Sequence, residues 1–303
     1  MTLILAVMVS CAASELSPAG YEPPSGFVAV NGVRLHYIDW GGSGEPILLL
    51  AGFRDNAHVF DDFAPRFTDR FRFPGLTRRG FGESEKPAGG YETDTRVEDV
   101  RQFLDAKGIG KASLIGHSMA GEEMTVFAAR YPERTEKLVY LDDGDQDSPL
   151  GHWRHVLNHD VRCSGHPQGF HPHPLHHSWP VCGVRESSEP CFRRAIEGRH
   201  KALFAYRPDY KEVKAPALAF YAVTANTHYP SHWLPKDADE SVRTKAEAWW
   251  QTRGHALMRD SVEQFRKGLP HGEIIELDDA KHYVFKGETA DEVVLKTREF
   301  LLR

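Results

Sequence analysis

Residues 113–121 read Ser-Leu-Ile-Gly-His-Ser-Met-Ala-Gly, and Glu122 to Tyr131 follow with Met124, Phe127 and Ala128 at helical spacing. Ala112 to Ile115 reads as the end of a buried strand, so the stretch is strand, sharp turn, helix. Ser118 stands at that turn between small residues, the arrangement of a nucleophile elbow. A turn this tight leaves no room for bulk at position 116 or 120. The helix starting behind the serine offers backbone N–H groups and the positive end of its dipole where an oxyanion would form. The usual pattern has glycine two places after the nucleophile; here Ala120 holds that place and Gly121 comes one later. Taken alone, the stretch reads equally as an ordinary Gly-rich strand–helix turn, so the flanking chain has to decide.

Upstream, Phe27 to Val30 and Val33 to Ile38 alternate around Asn31-Gly32, which predicts a β-hairpin. Pro46 to Leu50 is a continuous apolar run, as expected of a parallel strand covered on both faces. The Ala51-Gly52-Phe53-Arg54 turn follows, then a helix expected from about His58 to Phe67. Arg72 to Leu76 reads as a short strand weakened by Pro74, then Thr77 to Ser84 as a Gly-rich loop and Thr95 to Lys107 as an amphipathic helix. Downstream, Lys137 to Leu141 is the next buried strand. Residues 144–210 contain none. The pattern resumes with a strand over Ala217 to Val223, a long helical stretch from about Asp239 to Lys267, a strand over Glu273 to Leu277 and a helix over Asp291 to Leu302. Strand and helix in alternation imply an α/β fold with a mostly parallel, doubly wound sheet and flanking helices.

The order of these elements, the Gly52-Phe53 turn, the Arg79-Gly80-Phe81-Gly82-Glu83-Ser84 loop, the elbow and the late His282-Tyr283-Val284-Phe285 together resemble the α/β-hydrolase fold superfamily, its serine-nucleophile, esterase-like branch. The resemblance implies a core of residues 25–143 and 211–303, with 144–210 inserted where the family carries its cap. It also implies the order nucleophile, acid, histidine along the chain. A serine hydroxyl needs a base in hydrogen-bond reach and a group holding that base in the right tautomer. The base candidate is His282, after the last strand. The usual place for the acid, just after Ala217 to Val223, offers no carboxylate before Asp237. The family's second place, the end of the preceding strand, offers Asp142, with Asp143 and Asp145 as competitors that strand alternation cannot separate. The oxyanion donors implied are the backbone N–H groups of Phe53 and Met119. Thr77-Arg78-Arg79 replaces the family's common Asp-x-Arg, and Arg79 reads as a pin for loops. Arg54 reads as a solvated loop residue, with contact to an anionic substrate group as the alternative.

Composition narrows the partners. At 303 residues with 26% charged residues and net charge −6, nothing suggests nucleic acid or an anionic membrane surface. No internal run approaches the ~18 apolar residues of a membrane span. A small-molecule substrate is expected, no cofactor is implied, and the oligomeric state is not encoded legibly. Residues 1–14 resemble a secretory signal peptide without its positively charged start, which predicts export to the periplasm or beyond. Met8-Val9-Ser10-Cys11 loosely resembles a lipoprotein box, so a lipid on Cys11 is one form of that expectation; without a working leader the chain stays cytoplasmic. Cys163, Cys182 and Cys191 would then supply one disulfide of undetermined pairing. His152, His155 and His159 share a helical face and more histidines follow, but no fixed ligand spacing is met and no metal is expected.

The expectation is therefore a serine hydrolase cleaving a carboxylic ester through an acyl-enzyme. Phe60, Phe170, Trp179, Tyr206 and Trp233 are the aromatic residues suggested for the pocket wall. Carbon–carbon bond hydrolysis, proline iminopeptidase-like amide cleavage and cofactor-free haloperoxidase chemistry use the same triad. Serine at the nucleophile position argues against epoxide hydrolases and haloalkane dehalogenases, which carry Asp there. A non-catalytic ligand-binding scaffold is the reading from a different class.

Overall fold

The structure, a computed structural model, describes residues 23–143, 209–223 and 239–303. The leader, Cys11, Asp145, nearly all of the inserted segment with its cysteines and histidines, and Phe170, Trp179, Tyr206 and Trp233 lie outside the described residues. β1 (Ser25–Val30) and β2 (Val33–Asp39) pair antiparallel with Val30 opposite Val33. Asn31 (φ 48°) and Gly32 (φ 74°) supply the two positive φ angles of a type I′ turn. The remaining strands are β3 (Glu45–Leu50), β4 (Phe71–Arg72), β5 (Pro74–Leu76), β6 (Ala112–His117), β7 (Thr135–Leu141), β8 (Ala217–Val223) and β9 (Glu273–Asp278). Sheet order is β1-β2-β5-β3-β6-β7-β8-β9, with β4 pairing β3. From β5 through β9 every neighbour is parallel, so the C-terminal ends of β3, β6, β7, β8 and β9 share one edge.

Side-chain alternation sorts these strands onto two cores. Leu48, Leu50, Leu114, Leu138, Tyr140, Ala219 and Tyr221 face one side. There they meet α1 (Thr93–Ala106), α2 (Ala120–Arg130) and α4 (His255–Gly268). Ile47, Leu49, Ile115, Val139, Leu141, Leu218 and Phe220 face the other side, covered by α5 (Ala290–Leu301) and a phenylalanine cluster. Each Leu, Ile, Val or Phe side chain among them contributes about 1.5–3 kcal/mol through burial.

The structure departs from the sequence reading in three elements. Residues 58–67 form two 3₁₀ turns, Ala57–Phe60 and Ala64–Phe67, rather than one helix. Pro65 has no N–H to continue a helical ladder, while Phe60, Phe63 and Phe67 still face the sheet and so mimic helical periodicity. The 72–76 strand splits at Phe73, whose N–H and C=O bond Gly41 and Trp40 instead of the ladder. The long helix near the C-terminus breaks into α3 (Glu240–Trp249), a π turn at Trp250–Gly254 and α4. Gly254 is needed there, since a Cβ would stand 2.4 Å from the Trp250 ring.

Candidate active site

Four loops leave the shared edge of the sheet, and each carries a residue singled out by the sequence. Ser118 follows β6 with φ 53°, a left-handed backbone that holds a non-glycine residue at a sharp bend. Its N–H donates to Leu141 O (3.1 Å), tying the bend to the end of β7, and Gly121 N–H donates back to Ser118 O (2.9 Å). A Cβ at Gly116 would lie 2.6 Å from Met124 Sδ and 2.9 Å from the Ala120 Cβ. At Gly121 it would lie 2.1 Å from Asp143 Oδ1. The need for glycine has therefore moved from position 120 to position 121, which accounts for the shifted motif.

Asp142 follows β7 with φ 52°, its N–H bonded to Phe220 O (2.8 Å). One carboxylate oxygen, Oδ1, accepts from Ala222 N–H at 2.9 Å; the other, Oδ2, accepts from His282 Nδ1–H at 2.7 Å. Because a carboxylate only accepts, this bond puts the neutral imidazole's proton on Nδ1 and leaves Nε2 as the basic nitrogen. Asp143 turns elsewhere: it is buried, Tyr210 OH donates to its Oδ2 at 2.8 Å, and its carboxylate packs on Gly121. Adjacent residues at a strand end thus take separate tasks.

His282 is held from behind by His117, which sequence reasoning passed over. His117 is buried, its Nε2–H donates to the His282 carbonyl at 3.1 Å, and the two rings lie 4.5 Å apart. Burial, and next the neighbouring His282, hold the His117 imidazole well below its ordinary pKa, so it stays neutral. Tyr283, 4.7 Å from the His117 ring, donates its hydroxyl to Asp55 Oδ2 at 3.1 Å. The loop after β9 is thereby fastened to the loop after β3. Among the described residues no hydrogen bond joins the Ser118 hydroxyl to His282, a contact that commonly tightens only with substrate bound.

Phe53 and Met119 come together through their side chains, which share a small apolar cluster with Phe81 and Tyr91. Gly52 sits against the elbow: a Cβ there would be 2.8 Å from His117 Nδ1 and 3.3 Å from Ser118 Cβ. Arg78, also missed, is buried behind this loop. It bonds both oxygens of Glu123 on α2 and the carbonyls of Ala51 (2.9 Å) and Gly52 (3.3 Å). Arg79 is indeed a pin, donating to both oxygens of Asp99 on α1 and to Asn31 O. Arg54 is exposed, with φ 69°. Phe60, expected on a pocket wall, is instead fully buried against Phe63 and Phe285, because its 3₁₀ turn faces the sheet. Among the described residues no group of three or more His, Cys, Asp or Glu side chains is arranged to hold a metal ion. No helix among them is long and apolar enough to cross a membrane.

Comparison with known proteins agrees with this architecture. Residues 45–161 match the family model described as alpha/beta hydrolase fold, a span that holds Ser118 and Asp142 but not His282. Similar curated proteins include a soluble epoxide hydrolase of Corynebacterium sp. (strain C12), 34% identical over 113 residues, 37% of this chain and 39% of that protein. Another is the 2-(acetamidomethylene)succinate hydrolase of Mesorhizobium japonicum, 34% identical over 101 residues, 33% of this chain and 36% of that protein. The chain thus spans well under half the length of these relatives. Among solved structures, a bacterial membrane phospholipase A superposes with TM-score 0.61 at 22% identity, covering 92% of this chain and 86% of that one, a likeness of fold alone. Element order, sheet topology and the family match over residues 45–161 agree on the architecture: this chain has the α/β-hydrolase fold.

Proposed function

We propose that the protein is a serine hydrolase that cleaves a carboxylic ester of a small or medium-sized substrate through an acyl-enzyme. Ser118 Oγ attacks the carbonyl carbon while His282 Nε2 takes its proton, and Asp142 steadies the imidazolium that results. The N–H groups of Phe53 and Met119 hold the negative oxygen of the tetrahedral intermediate. Collapse transfers the proton from His282 to the departing alkoxide. Water, deprotonated by His282, then releases the acid and restores Ser118. The observation that carries this reading is the His282–Asp142 bond of 2.7 Å, formed at the same sheet edge as the left-handed Ser118.

Chemistry also separates this chain from the epoxide-opening activity named for one of its relatives. A carboxylate nucleophile opening an epoxide leaves an ester that water can cleave; a serine would leave an ether, with no carbonyl for water to attack. Carbon–carbon, amide and peroxide chemistry on the same residues all remain acyl-type reactions and differ in the substrate alone. The test is labelling with a fluorophosphonate probe. Stoichiometric labelling, abolished in Ser118→Ala, is expected; a wild-type chain that stays unlabelled refutes the reading and favours a ligand-binding scaffold. A series of p-nitrophenyl esters of increasing acyl length then fixes the substrate class.

A further inference from the structure

We propose that Arg78 is a positioning residue that aims and polarises the peptide between Gly52 and Phe53, the one that presents an oxyanion donor. The inference rests on the serine-hydrolase reading and extends it to a residue outside the triad. A trans peptide points its C=O and N–H in opposite directions within one plane, and no cis bond occurs among the described residues. Fixing the Gly52 carbonyl therefore fixes the direction of the Phe53 N–H. Arg78 does so from the rear: its guanidinium donates to Gly52 O and, one residue earlier, to Ala51 O. A cation bonded to the carbonyl also draws electron density from the peptide, which makes the N–H at its other end a stronger donor.

The fork of Arg78 is itself immobilised. Its Nε and Nη2 hold both carboxylate oxygens of Glu123, at 2.9 and 2.6 Å, and its side chain is 5% exposed. Glu123 lies in the first turn of α2, directly behind Ser118 and Met119. One planar guanidinium thus clamps the loop that carries Phe53 to the helix that Met119 immediately precedes, setting the spacing of the two donors. Five donors in a rigid fork can serve a carboxylate and two carbonyls together; a lysine ammonium on its flexible stem cannot.

Arg78→Lys keeps the charge and tests the fork. The expected result is a kcat lowered about 10- to 100-fold with KM changed less than about threefold, the pattern of an interaction strengthened in the transition state. Inhibition by a trifluoromethyl ketone analogue of the ester, which forms the oxyanion, should weaken by the same factor. Arg79→Lys, in the neighbouring buried pair with Asp99 that touches neither Ala51 nor Gly52, is the control for general loosening: it should lower Tm yet leave kcat within about threefold. Normal kcat in Arg78→Lys, or an equal loss in Arg79→Lys, overturns the assignment. If Arg78→Lys does not fold, Glu123→Gln carries the test, with a smaller loss confined to kcat expected and an unchanged kcat overturning it. Failure of the wild type to label with fluorophosphonate overturns the serine reading and this inference together; labelling with normal Arg78→Lys turnover overturns only the inference.

Discussion

Replacing Asp142 by Asn tests the proposed site at its most constrained atom. Asp142 Oδ1 already accepts from Ala222 N–H, so the asparagine must keep its carbonyl oxygen there and present its NH₂ to His282. A donor facing Nδ1 forces the imidazole to carry its proton on Nε2 instead. The nitrogen meant to take the Ser118 proton is then occupied, and no rotation of the amide relieves this without orphaning the Ala222 N–H, at about 1–3 kcal/mol. The loss is therefore one of tautomer as well as charge, and kcat should fall by about 10⁴, or roughly 5.5 kcal/mol. Asp143→Asn is the paired control. Its partner is Tyr210 rather than His282, so it should lower stability by about 1–2 kcal/mol and leave kcat within a few fold. The assay is steady-state hydrolysis of a p-nitrophenyl ester, with urea unfolding on the same preparations. Normal turnover in Asp142→Asn, or a comparable loss in Asp143→Asn, refutes the reasoning.

Three other outcomes follow from the geometry. His117 is neutral in the fold because burial lowers its pKa, whereas the unfolded imidazole takes up a proton below about 6.5; its contribution is complete above that pH and is lost as pH falls below it. His117→Gln, which can keep a donor for the His282 carbonyl, should remove a pH slope of up to about 1.4 kcal/mol per unit, measured by urea unfolding at pH 7.5 and 5.5; identical slopes in the two proteins would contradict this. Gly121→Ala puts a methyl against the Asp143 carboxylate and should destabilise by about 1–3 kcal/mol in thermal unfolding, while an unchanged Tm would mean that the contact yields freely. Gly52→Ala wedges the loop of the proposed Phe53 donor away from His117 and Ser118, so kcat should fall about 100-fold in a chain whose circular dichroism is unaltered.

The legible parts of the molecule were those written in short-range chemistry. Asn31-Gly32 specifies its own turn, and buried runs such as Ile47 to Leu50 and Ala217 to Val223 read as strands because both faces are covered. Ser118 and His282 stood out through position relative to those strands. What stayed illegible depends on direction in space. Asp142 and Asp143 are chemically identical neighbours, and only the backbone path after β7 turns one to His282 and the other to Tyr210. Likewise, nothing in Thr77-Arg78-Arg79 tells that one arginine faces α2 and the next α1. The 58–67 segment misled because its phenylalanines face the sheet at helical intervals whichever helix type carries them.

The charges behind the site make a case of their own. Glu122 and Glu123 occupy the first turn of α2, where the helix dipole welcomes negative charge, but that turn also borders the proposed oxyanion donors. Two bare carboxylates there would oppose the charge that develops on the substrate. Arg78 and Arg96 prevent this: Arg96 bonds Glu122 at 3.3 Å and Glu123 at 3.2 Å, and Arg78 takes both oxygens of Glu123. Burial nonetheless raises the pKa of Glu122 and lowers that of Arg96, so the cluster resides where ions are costly. Buried ion networks of this kind often stabilise no better than apolar residues of the same volume. Stability therefore gives a weak reason for placing four charges behind the turn that carries the proposed nucleophile. Geometry gives a stronger one, because a bidentate fork fixes direction as well as distance, and direction is what a hydrogen-bond donor to an oxyanion must have.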